Sequence, residues 1–494
     1  MKFIGRKEEL LTLKGLLKKN SASMVVVKGR RRIGKSRLLE EFSQSVHKSF
    51  IFSGLPPNEG ITAQSQRDEF AGQLLRQTNS TNFKKEDWSD LFWQLSRYTN
   101  RGRVLIILDE ISWMGEDDPH FLGKLKNAWD LYLKKNDQLI LAICGSATVW
   151  IEKNILSSTG FLGRESLTLT LEELPLYDCA EFWGLGNDRI SSYEKLKLLA
   201  VTGGIPRYLE QLNPLLSAED NIRRMCFDKA GILFNEFEKI FSDLFSSRSV
   251  LYKNIVTVLA EGIADLSTVC QRIGLKMGGD ISEYLEDLIK SGFVSRDYTW
   301  NIQNGKTSNL SHYRLKDNYS RFYLKYILPN RAKIESGDMA TIHLTHLKGW
   351  QAMMGLQVKN LVLSNRHLIK QALKIDPSQI ESDNPFFQRP NSKQKGCQID
   401  YLIQTQYNTV YICEIKCSKN EIGNEVVDEV SEKVKRLHLP KQFSYRTVLI
   451  HVNGVKESVE DSRFFSEIIN LSDFLTCATA SKNLYKSTHY RVER

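Results

Sequence analysis

With 494 residues, the chain is too long for a single hydrophobic core, and its length predicts about three or four domains. The 41% hydrophobic content predicts ordered globular domains, while the lack of a long apolar run and of a signal-peptide pattern argues against membrane-spanning and secreted proteins. The eight cysteines form no C-x-x-C pair, which argues against a zinc site, and the net charge of +10 permits a nucleic-acid partner without requiring one. We therefore expect a cytoplasmic protein without a membrane partner.

Residues 24–42 have the pattern of a buried strand, a glycine-bracketed loop and an amphipathic helix. The loop fits the phosphate-binding pattern G-x-x-x-x-G-K-[ST] at Gly29, Gly34, Lys35 and Ser36. Glycines leave the backbone N–H groups open to a phosphate chain, and the start of the following helix adds further donors. We expect this loop to bind ATP, with Lys35 reaching the β- and γ-phosphates and the Ser36 hydroxyl holding Mg²⁺.

Four arginines surround this loop, at Arg30, Arg31, Arg32 and Arg37. Their side chains have two interpretations: a solvated basic rim that attracts an anion, or separate contacts to the phosphates. We favour the rim. We keep Arg32, Ile33 and Arg37 among the candidate nucleotide-binding positions because they lie within the loop or directly after it.

Alternating strand and helix patterns follow the loop and predict a parallel sheet. Strands are predicted at 49–54, 104–108, 139–144 and 166–171, and helices at 64–77 and 88–98. The run at 104–108 is continuously apolar, as in a strand buried on both faces, and it ends in Asp109 and Glu110. Ligands bind at that end of parallel strands. We expect Asp109 to support Mg²⁺ and Glu110 to act as general base toward the attacking water.

Two further polar residues lie beside the later strands. Ser146 follows the strand at 139–144, where it could sense the γ-phosphate, and the alternative is that Ser146 or Thr148 caps the next helix. Arg164 precedes the last strand, where it could contact a phosphate of its own or a neighbouring subunit, and the alternative is a surface ion pair. The sequence leaves both alternatives open.

The pattern turns helical from residue 171 to 239, and the segment TGGIPRYL at 202–209 makes a tight turn in which Pro206 fixes a helix start. Together with GRRRIGKS, LIILDE, ICGSA and Gly163-Arg164, this segment resembles the archaeal-type ATPase family of the STAND-like branch related to AAA+ proteins. The resemblance covers about the first half of the chain. It implies that Gly204 and Pro206 of a helical lid contact the nucleotide. Gly5 and Arg6 resemble the segment of AAA+ and related signalling ATPases that packs beside the adenine, and the alternative is an ordinary first helix.

The second half resembles the domain often fused to that ATPase, through the segment YRLKDNYSRFYLKYI at 313–327. This resemblance implies a winged-helix module followed by a domain similar to PD-(D/E)xK nucleases. Helices predicted at 249–261, 266–273 and 280–291, with strands at 293–298 and 311–315, match the outline of a winged helix.

The third of those helices is acidic, with Asp280, Glu283, Glu286 and Asp287. Acidic side chains repel phosphates, so we favour contact with the ATPase or a protein partner over reading of the DNA major groove. Cations on the wing could still contact a nucleic-acid backbone, namely Arg296, Lys306 and Arg314.

Two later strands, predicted at 398–403 and 410–416, carry two carboxylates and a lysine. Because alternate strand residues share a face, Glu414 and Lys416 point the same way, and a hairpin would bring Asp400 to them. This set resembles the D…E-x-K signature of PD-(D/E)xK nucleases, in which Asp400 and Glu414 would hold Mg²⁺. The alternative is a salt-bridged strand face. The helix predicted at 351–364 carries the neutral Gln357 where that superfamily often has a metal-supporting glutamate.

The predicted fold class is α/β: a P-loop NTPase parallel sheet with a helical lid, a winged-helix module and a C-terminal α/β restriction-nuclease-like domain. The predicted boundaries are 1–170 for the ATPase core, 171–243 for the lid, 244–316 for the winged helix, 317–345 for a connecting helix and linker, 346–476 for the nuclease-like domain and 477–494 for a basic tail.

The predicted function is an ATPase that uses ATP and Mg²⁺ and whose nucleotide state controls the nuclease-like module, which could bind DNA or RNA. The alternative is an ATP-dependent switch or scaffold with an inactive nuclease-like domain, acting through another protein or further copies of itself.

Overall fold

The chain folds into two compact units in the computed structural model, which describes residues 2–78, 86–245, 248–276, 278–390 and 395–475, without the side chains of 185–188. The first unit comprises Met1–Glu172, Ile240–Ser247 and Lys290–Gly292. The second comprises Glu173–Lys239, Arg248–Ile289 and Phe293–Arg494. None of the helices within the described ranges is long and apolar enough to cross a membrane.

A five-stranded parallel sheet lies at the centre of the first unit, which confirms the sheet predicted from the sequence. Its strands are β1 (Ser23–Gly29), β2 (Lys48–Ser53), β3 (Val104–Asp109), β4 (Leu139–Gly145) and β5 (Glu165–Leu171). In space they run in the order β2-β3-β4-β1-β5. The three inner strands are buried along almost their whole length, whereas the edge strands alternate more and less exposed residues. The apolar runs of β1, β3 and β4 follow from burial on both faces.

Helices pack around this sheet. They are α1 (Lys7–Leu16), α2 (Lys35–Ser43), α3 (Ala63–Thr78), α4 (Trp88–Tyr98), α5 (Ile111–Gly115), α6 (Phe121–Leu131) and α7 (Thr148–Ile151). Asp87 caps α4 by accepting a hydrogen bond from the Ser89 N–H at 2.6 Å. Buried rings from three helices contact one another with centroids 4.8 to 5.7 Å apart, at Phe70, Trp88, Phe92 and Phe121. These aromatic contacts hold α3, α4 and α6 together beside the sheet.

The described residues between 173 and 292 are mainly helical. Its helices are α8 (Leu176–Ala180), α9 (Ser192–Thr202), α10 (Pro206–Leu209), α11 (Ala218–Cys226), α12 (Glu236–Phe245), α13 (Ser249–Ala260), α14 (Leu266–Ile273) and α15 (Gly279–Lys290). Two antiparallel strands follow, β6 (Val294–Trp300) and β7 (Thr307–Leu315). The helices and strands predicted between 249 and 315 are thus present in the predicted order.

One expectation for the wing is wrong. Arg314 does not lie at the surface: it is 8% exposed, and its guanidinium is ion-paired with Asp297 at 2.7 Å. β7 turns this side chain inward, so Arg314 cannot serve as a surface contact for a nucleic-acid backbone. Lys306, between the two strands, is exposed, and Arg296 is half-buried over the rings of Tyr298 and Tyr313.

The rest of the second unit is built on a mixed five-stranded sheet. Its helices are α16 (Asn318–Phe322), α17 (Arg331–Glu335), α18 (Trp350–Ser364), α19 (Arg366–Ala372), α20 (Glu425–Arg436) and α21 (Glu457–Asp461). Its strands are β8 (Ile380–Gln388), β9 (Cys397–Thr405), β10 (Thr409–Ile415), β11 (Ser444–His451) and β12 (Glu467–Asn470). In space they run β12-β11-β10-β9-β8, and β9 pairs with β10 as the predicted hairpin. The predicted basic tail at 477–494 lies outside the described residues.

Candidate functional site

The phosphate loop connects the end of β1 to the start of α2, and two glycines fix its path. Gly29 has a φ of 146°, and a Cβ atom there would lie 2.5 Å from the Leu171 carbonyl oxygen. Gly34 has a φ of 93° and directly precedes α2, whose start is not capped by any side chain of the described residues. Both positions therefore favour glycine, and the first N–H groups of α2 remain accessible to an anion.

Lys35, the first residue of α2, is buried and folds back over the loop. Its Nζ donates to the carbonyl oxygens of Gly29 at 3.0 Å and Arg30 at 3.1 Å. Burial lowers the pKa of Lys35, and the nearby Glu110 carboxyl group opposes that shift. A phosphate entering the loop would give this buried ammonium group a charge-assisted hydrogen bond.

The ends of β3 and β4 bring three more polar side chains to the same place. Asp109 Oδ1 accepts a hydrogen bond from the Cys144 thiol at 2.7 Å and from the Glu110 N–H at 3.0 Å. Glu110 Oε2 accepts from both the N–H and the hydroxyl of Ser146, each at 3.0 Å. Burial raises the pKa of Glu110, and Lys35 opposes the rise. The carboxylates, the lysine and the serine thus form one electrostatically linked group.

Two details of this group bear on the sequence analysis. The helix after β4 has Ala147 as its N-cap residue and is not capped by a side chain of the described residues, so capping by Ser146 or Thr148 is not observed. The contact between Asp109 and Cys144 was missed. The parallel pairing of Leu108 with Ile143 makes them neighbours, and the sequence gives no such register in advance.

A magnesium ion at this site would find suitable ligands. The Ser36 hydroxyl and the Asp109 carboxylate are oxygen donors of the kind that Mg²⁺ prefers. Within the described ranges, no three His, Cys, Asp or Glu side chains are grouped so as to hold a metal. The ion would therefore draw most of its ligands from nucleotide phosphates and water, as Mg²⁺ usually does.

The amino-terminal segment contacts the backbone of the phosphate loop through Arg6. Gly5 and Arg6 both have a positive φ, 71° and 57°, which turns the chain into α1. The Arg6 guanidinium is 6% exposed and donates to the Ile33 carbonyl oxygen at 3.1 Å and to the carbonyl oxygen of Glu172. Arg6 thereby fixes the loop backbone at Ile33, whereas contact of this segment with adenine remains a prediction.

Residues 3–212 match the family model described as an ATPase domain predominantly from Archaea. This segment is thus similar to archaeal-type ATPase domains. The uncharacterized protein MJECL04 of Methanocaldococcus jannaschii is 26% identical over 336 residues, which span 68% of this chain and 71% of that protein.

Two solved structures are similar to parts of the chain. The Walker-type ATPase PABY2304 of Pyrococcus abyssi is 17% identical, with a TM-score of 0.48, and the match covers 65% of this chain and 96% of that one. The ORC2 protein of Aeropyrum pernix is 15% identical, with a TM-score of 0.42, and covers 68% and 95%. These identities and scores are too low to transfer a function to this chain.

The turn at 202–208 lies within the matched ATPase segment but belongs to the second compact unit. The Gly204 N–H donates to Glu173 Oε2 at 3.0 Å, and the Gly204 carbonyl oxygen accepts from the Leu174 N–H at 2.8 Å. A Cβ on Gly204 would lie 2.3 Å from the Leu174 carbonyl oxygen, which favours glycine here. Pro206 is the first residue of α10, as predicted. Contact of Gly204 and Pro206 with the nucleotide remains a prediction.

The arginines of the ATPase domain differ in their surroundings. Arg31 is ion-paired with Asp243 in the same unit, and Arg37 is exposed beside Glu40 at 3.5 Å. Arg32 is half-buried with a φ of 70°. The exposed Arg37 and the half-buried Arg31 and Arg32 agree with a rim around the loop, whereas Arg30 is 5% exposed and does not fit a solvated rim.

Arg164 makes the surface ion pair that was one of its two interpretations. Its Nε and Nη2 donate to the two carboxylate oxygens of Asp130 at 3.2 and 2.8 Å. Asp130 also pairs with Lys126 and Lys134, and these contacts lower the pKa of Asp130, with Arg164 contributing most.

We therefore expect Arg164→Ala to change the rate of ATP hydrolysis by less than about 2-fold, because exposed ion pairs contribute little. An arginine that contacted the transferred phosphate would contribute about 1,000-fold or more. Steady-state phosphate release separates the two cases, with Asp130→Asn as the matched control that removes the partner only. A loss of hydrolysis confined to Arg164→Ala would contradict the ion-pair interpretation.

A second group of charged residues lies on the hairpin of β9 and β10. Glu414 is 2% exposed, and its carboxylate accepts from Lys416 at 3.1 Å and from Lys433 at 2.6 Å. Asp400 Oδ1 accepts from Lys359 at 2.6 Å, and its Oδ2 accepts from the Ile415 N–H at 3.1 Å. Burial raises the pKa of Glu414, and the nearby Asp400 adds to that rise. The hairpin therefore brings Asp400, Glu414 and Lys416 together, as expected.

Three further members of this group were not predicted from the sequence: Lys359, Lys433 and Glu429. Glu429 pairs with Lys416 at 2.6 Å and with Lys433 at 3.3 Å. The spacing of four residues between Glu429 and Lys433 on α20 was an available signal, because such residues share a helix face.

Gln357 does not act as a metal-supporting group. It is fully buried, its Oε1 accepts from Arg321 at 2.6 Å, and its Nε2 donates to the Asn318 carbonyl oxygen at 2.6 Å. The remaining oxygen donors for Mg²⁺ are Asp400 and Glu414, and lysine ammonium groups already contact both. The donor set therefore fits a metal only in part.

Proposed function

We propose that the archaeal-type ATPase domain binds ATP with Mg²⁺ and hydrolyses it to ADP and phosphate. The observation that carries the proposal is the convergence of Lys35, Asp109, Glu110 and Ser146 beside a loop that presents helix N–H groups. Phosphoryl transfer needs positioning and charge neutralisation more than covalent chemistry, and this group supplies both. Phosphate release from ATP by the intact protein tests the proposal, and no release in the presence of Mg²⁺ would refute it.

Each residue has a defined part in this reaction. The loop N–H groups and Lys35 hold the phosphates, and Ser36 and Asp109 would hold the Mg²⁺, which neutralises charge on the phosphate oxygens. Glu110 takes the proton of the water that attacks the γ-phosphorus, as the bond from that phosphorus to the ADP oxygen breaks. Ser146 orients the Glu110 carboxylate through its two hydrogen bonds.

We further propose that nucleotide state controls the second unit, which carries the nuclease-like hairpin. The support is the position of Gly204 and Pro206, which fall both within the matched ATPase segment and within the second unit. A nucleotide that contacted this turn would act directly on Gly204, which is hydrogen-bonded to Glu173 and Leu174.

If nucleotide state reaches the hairpin, hydrogen exchange of the β9 and β10 amides should differ between protein saturated with ADP and protein saturated with a non-hydrolysable ATP analogue. The amides of β2 in the first unit's sheet serve as an internal reference. Identical exchange of β9 and β10 in both states would contradict control of this region by the nucleotide.

For the hairpin itself, two functions remain: an ATP-regulated nuclease acting on DNA or RNA, or an inactive module of an ATP-dependent switch. The ion pairs that occupy Asp400 and Glu414, together with the internal bonds of Gln357, favour the inactive module. In that case the protein acts through protein partners or through further copies of itself.

Cleavage of plasmid DNA or RNA with Mg²⁺ or Mn²⁺ and ATP distinguishes these functions. If the hairpin is a nuclease, Asp400→Asn and Lys416→Ala should each reduce cleavage by about 100-fold or more, because both remove groups that hold the metal or the phosphate. Asp428→Asn, an exposed carboxylate on α20, is the matched control. Cleavage that survives both substitutions would exclude this site.

A further inference from the structure

A cavity of about 340 Å³ lies in the second unit, between the strands β6 and β7, the helices α16 and α18, and the β8–β9 pair. Asp400 and Lys359 form part of its wall, so the cavity adjoins the charged group on the hairpin. Its volume is at the small end of the range for ligand pockets, which suits a ligand about as large as one nucleotide.

The charges that line this cavity do not balance. Asp297 is matched by Arg314, which also donates to Asn360 at 2.6 Å, and Asp400 is matched by Lys359 at 2.6 Å. Arg321 also lines the cavity and is 2% exposed; the Asp317 carboxylate acts on it electrostatically, but the described acceptors of its guanidinium are the neutral oxygens of Gln357 and Leu315. The lining residues thus carry one more positive than negative charge, and an anion bound in the cavity would balance this excess.

The described contacts of Arg321 use only part of the hydrogen-bonding capacity of its guanidinium. Nη1 donates to Gln357 Oε1 at 2.6 Å and Nη2 donates to the Leu315 carbonyl oxygen at 2.7 Å, whereas the buried Nε has no hydrogen-bond partner among the described residues. Two neutral acceptors therefore hold the side chain in place while its charge remains available. A guanidinium held in this way suits phosphate recognition.

Other residues that line the cavity are aromatic or apolar. The rings of His312 and Phe387 lie 3.8 Å apart between centroids and are tilted by 35°. Burial lowers the pKa of His312, which favours the neutral ring, and its buried Nδ1 also lacks a partner among the described residues. Leu356 and Leu363 of α18 extend the apolar wall. A planar ring with hydrogen-bonding edges would suit this wall.

We propose that the cavity binds one nucleotide unit, with its phosphate at Arg321 and Lys359 and its base against His312 and Phe387. Phosphate and base occur together both in a free nucleoside monophosphate and at the phosphorylated end of a nucleic-acid strand. The proposal is independent of ATP hydrolysis by the ATPase domain. It places the bound phosphate beside Asp400, whether or not the hairpin cleaves nucleic acid.

Calorimetry on the full-length Lys35→Ala protein tests this proposal, because that substitution removes the main phosphate contact of the first site. The probes are AMP, adenosine, inorganic phosphate and a short oligonucleotide with or without a 5′-phosphate. We expect AMP to bind about 10-fold more tightly than adenosine or phosphate, since it alone of the three supplies both phosphate and base. Tighter binding of the phosphorylated oligonucleotide would identify a strand end as the source, and binding of AMP alone would identify a free nucleotide.

Two variants decide whether the binding occurs in this cavity. Arg321→Gln should weaken AMP binding by about 10- to 100-fold, the effect of losing a charge-assisted hydrogen bond. Leu363→Trp fills the cavity and keeps every cation, so it should abolish binding even if Arg321→Gln fails to fold. Leu275→Trp, at an exposed position in the same unit, is the control and should bind normally. No heat with any probe, or AMP binding unchanged in Leu363→Trp, would overturn the proposal.

Discussion

Replacing Glu110 with glutamine is expected to reduce ATP hydrolysis by about 100- to 10,000-fold while leaving ATP binding intact. Glutamine can still accept the two hydrogen bonds from Ser146 through its amide oxygen, so the local structure should be preserved. Because it cannot accept the proton of the attacking water, only the rate of the chemical step should fall. Single-turnover hydrolysis together with equilibrium ATP binding measures both effects.

The matched control is Glu116→Gln, an exposed carboxylate at the end of α5, which should leave hydrolysis within about 2-fold of the original rate. The pH dependence gives a second check. Because burial raises the pKa of Glu110 above its ordinary value, hydrolysis by the unmodified protein should be lost as pH falls through that raised pKa. A Glu110→Gln protein that hydrolyses ATP at the original rate would show that the base lies elsewhere.

Replacing Lys35 with alanine should weaken ATP binding by about 10- to 100-fold and reduce hydrolysis further. The ammonium group supplies charge-assisted hydrogen bonds that are each worth about 1.5–3 kcal/mol, and the alanine side chain supplies none. Binding of ATP and ADP followed by calorimetry, with phosphate release measured in parallel, gives both quantities.

The Lys35→Ala protein should remain folded, because Lys35 donates only to backbone carbonyl oxygens and, without its charge, Glu110 keeps both hydrogen bonds from Ser146 and Asp109 keeps the one from Cys144. Thermal unfolding checks this point. Lys48→Ala is the matched control, since Lys48 is an exposed lysine at the start of β2. Equal loss of ATP binding in both variants would mean that the overall positive charge of the protein, and not Lys35 in particular, attracts the nucleotide.

The first site could be predicted from the sequence because its pattern is local. Gly29, Gly34 and Lys35 lie within seven residues of one another, and the apolar run before Asp109 is long enough to identify a buried strand. The parallel sheet follows from the same alternation of strands and helices, and the structure confirms it.

Contacts between distant segments could not be predicted in this way. Lys359 reaches Asp400 from a helix 41 positions earlier, and Arg314 turns inward toward Asp297 although the sequence allowed it a contact with a nucleic-acid backbone. Both depend on how sheets and helices pack, which periodicity does not specify. The burial of Gln357 and its bond to Arg321 likewise emerge only from the packing of α16 against α18.

Titration of the intact protein with ATP and with ADP in the presence of Mg²⁺, followed by calorimetry, tests the central claim most directly. We predict saturable binding of one nucleotide per chain to the phosphate loop, and a marked loss of that binding in Lys35→Ala. A folded protein that releases no heat with either nucleotide would contradict the claim that this chain works as an ATPase.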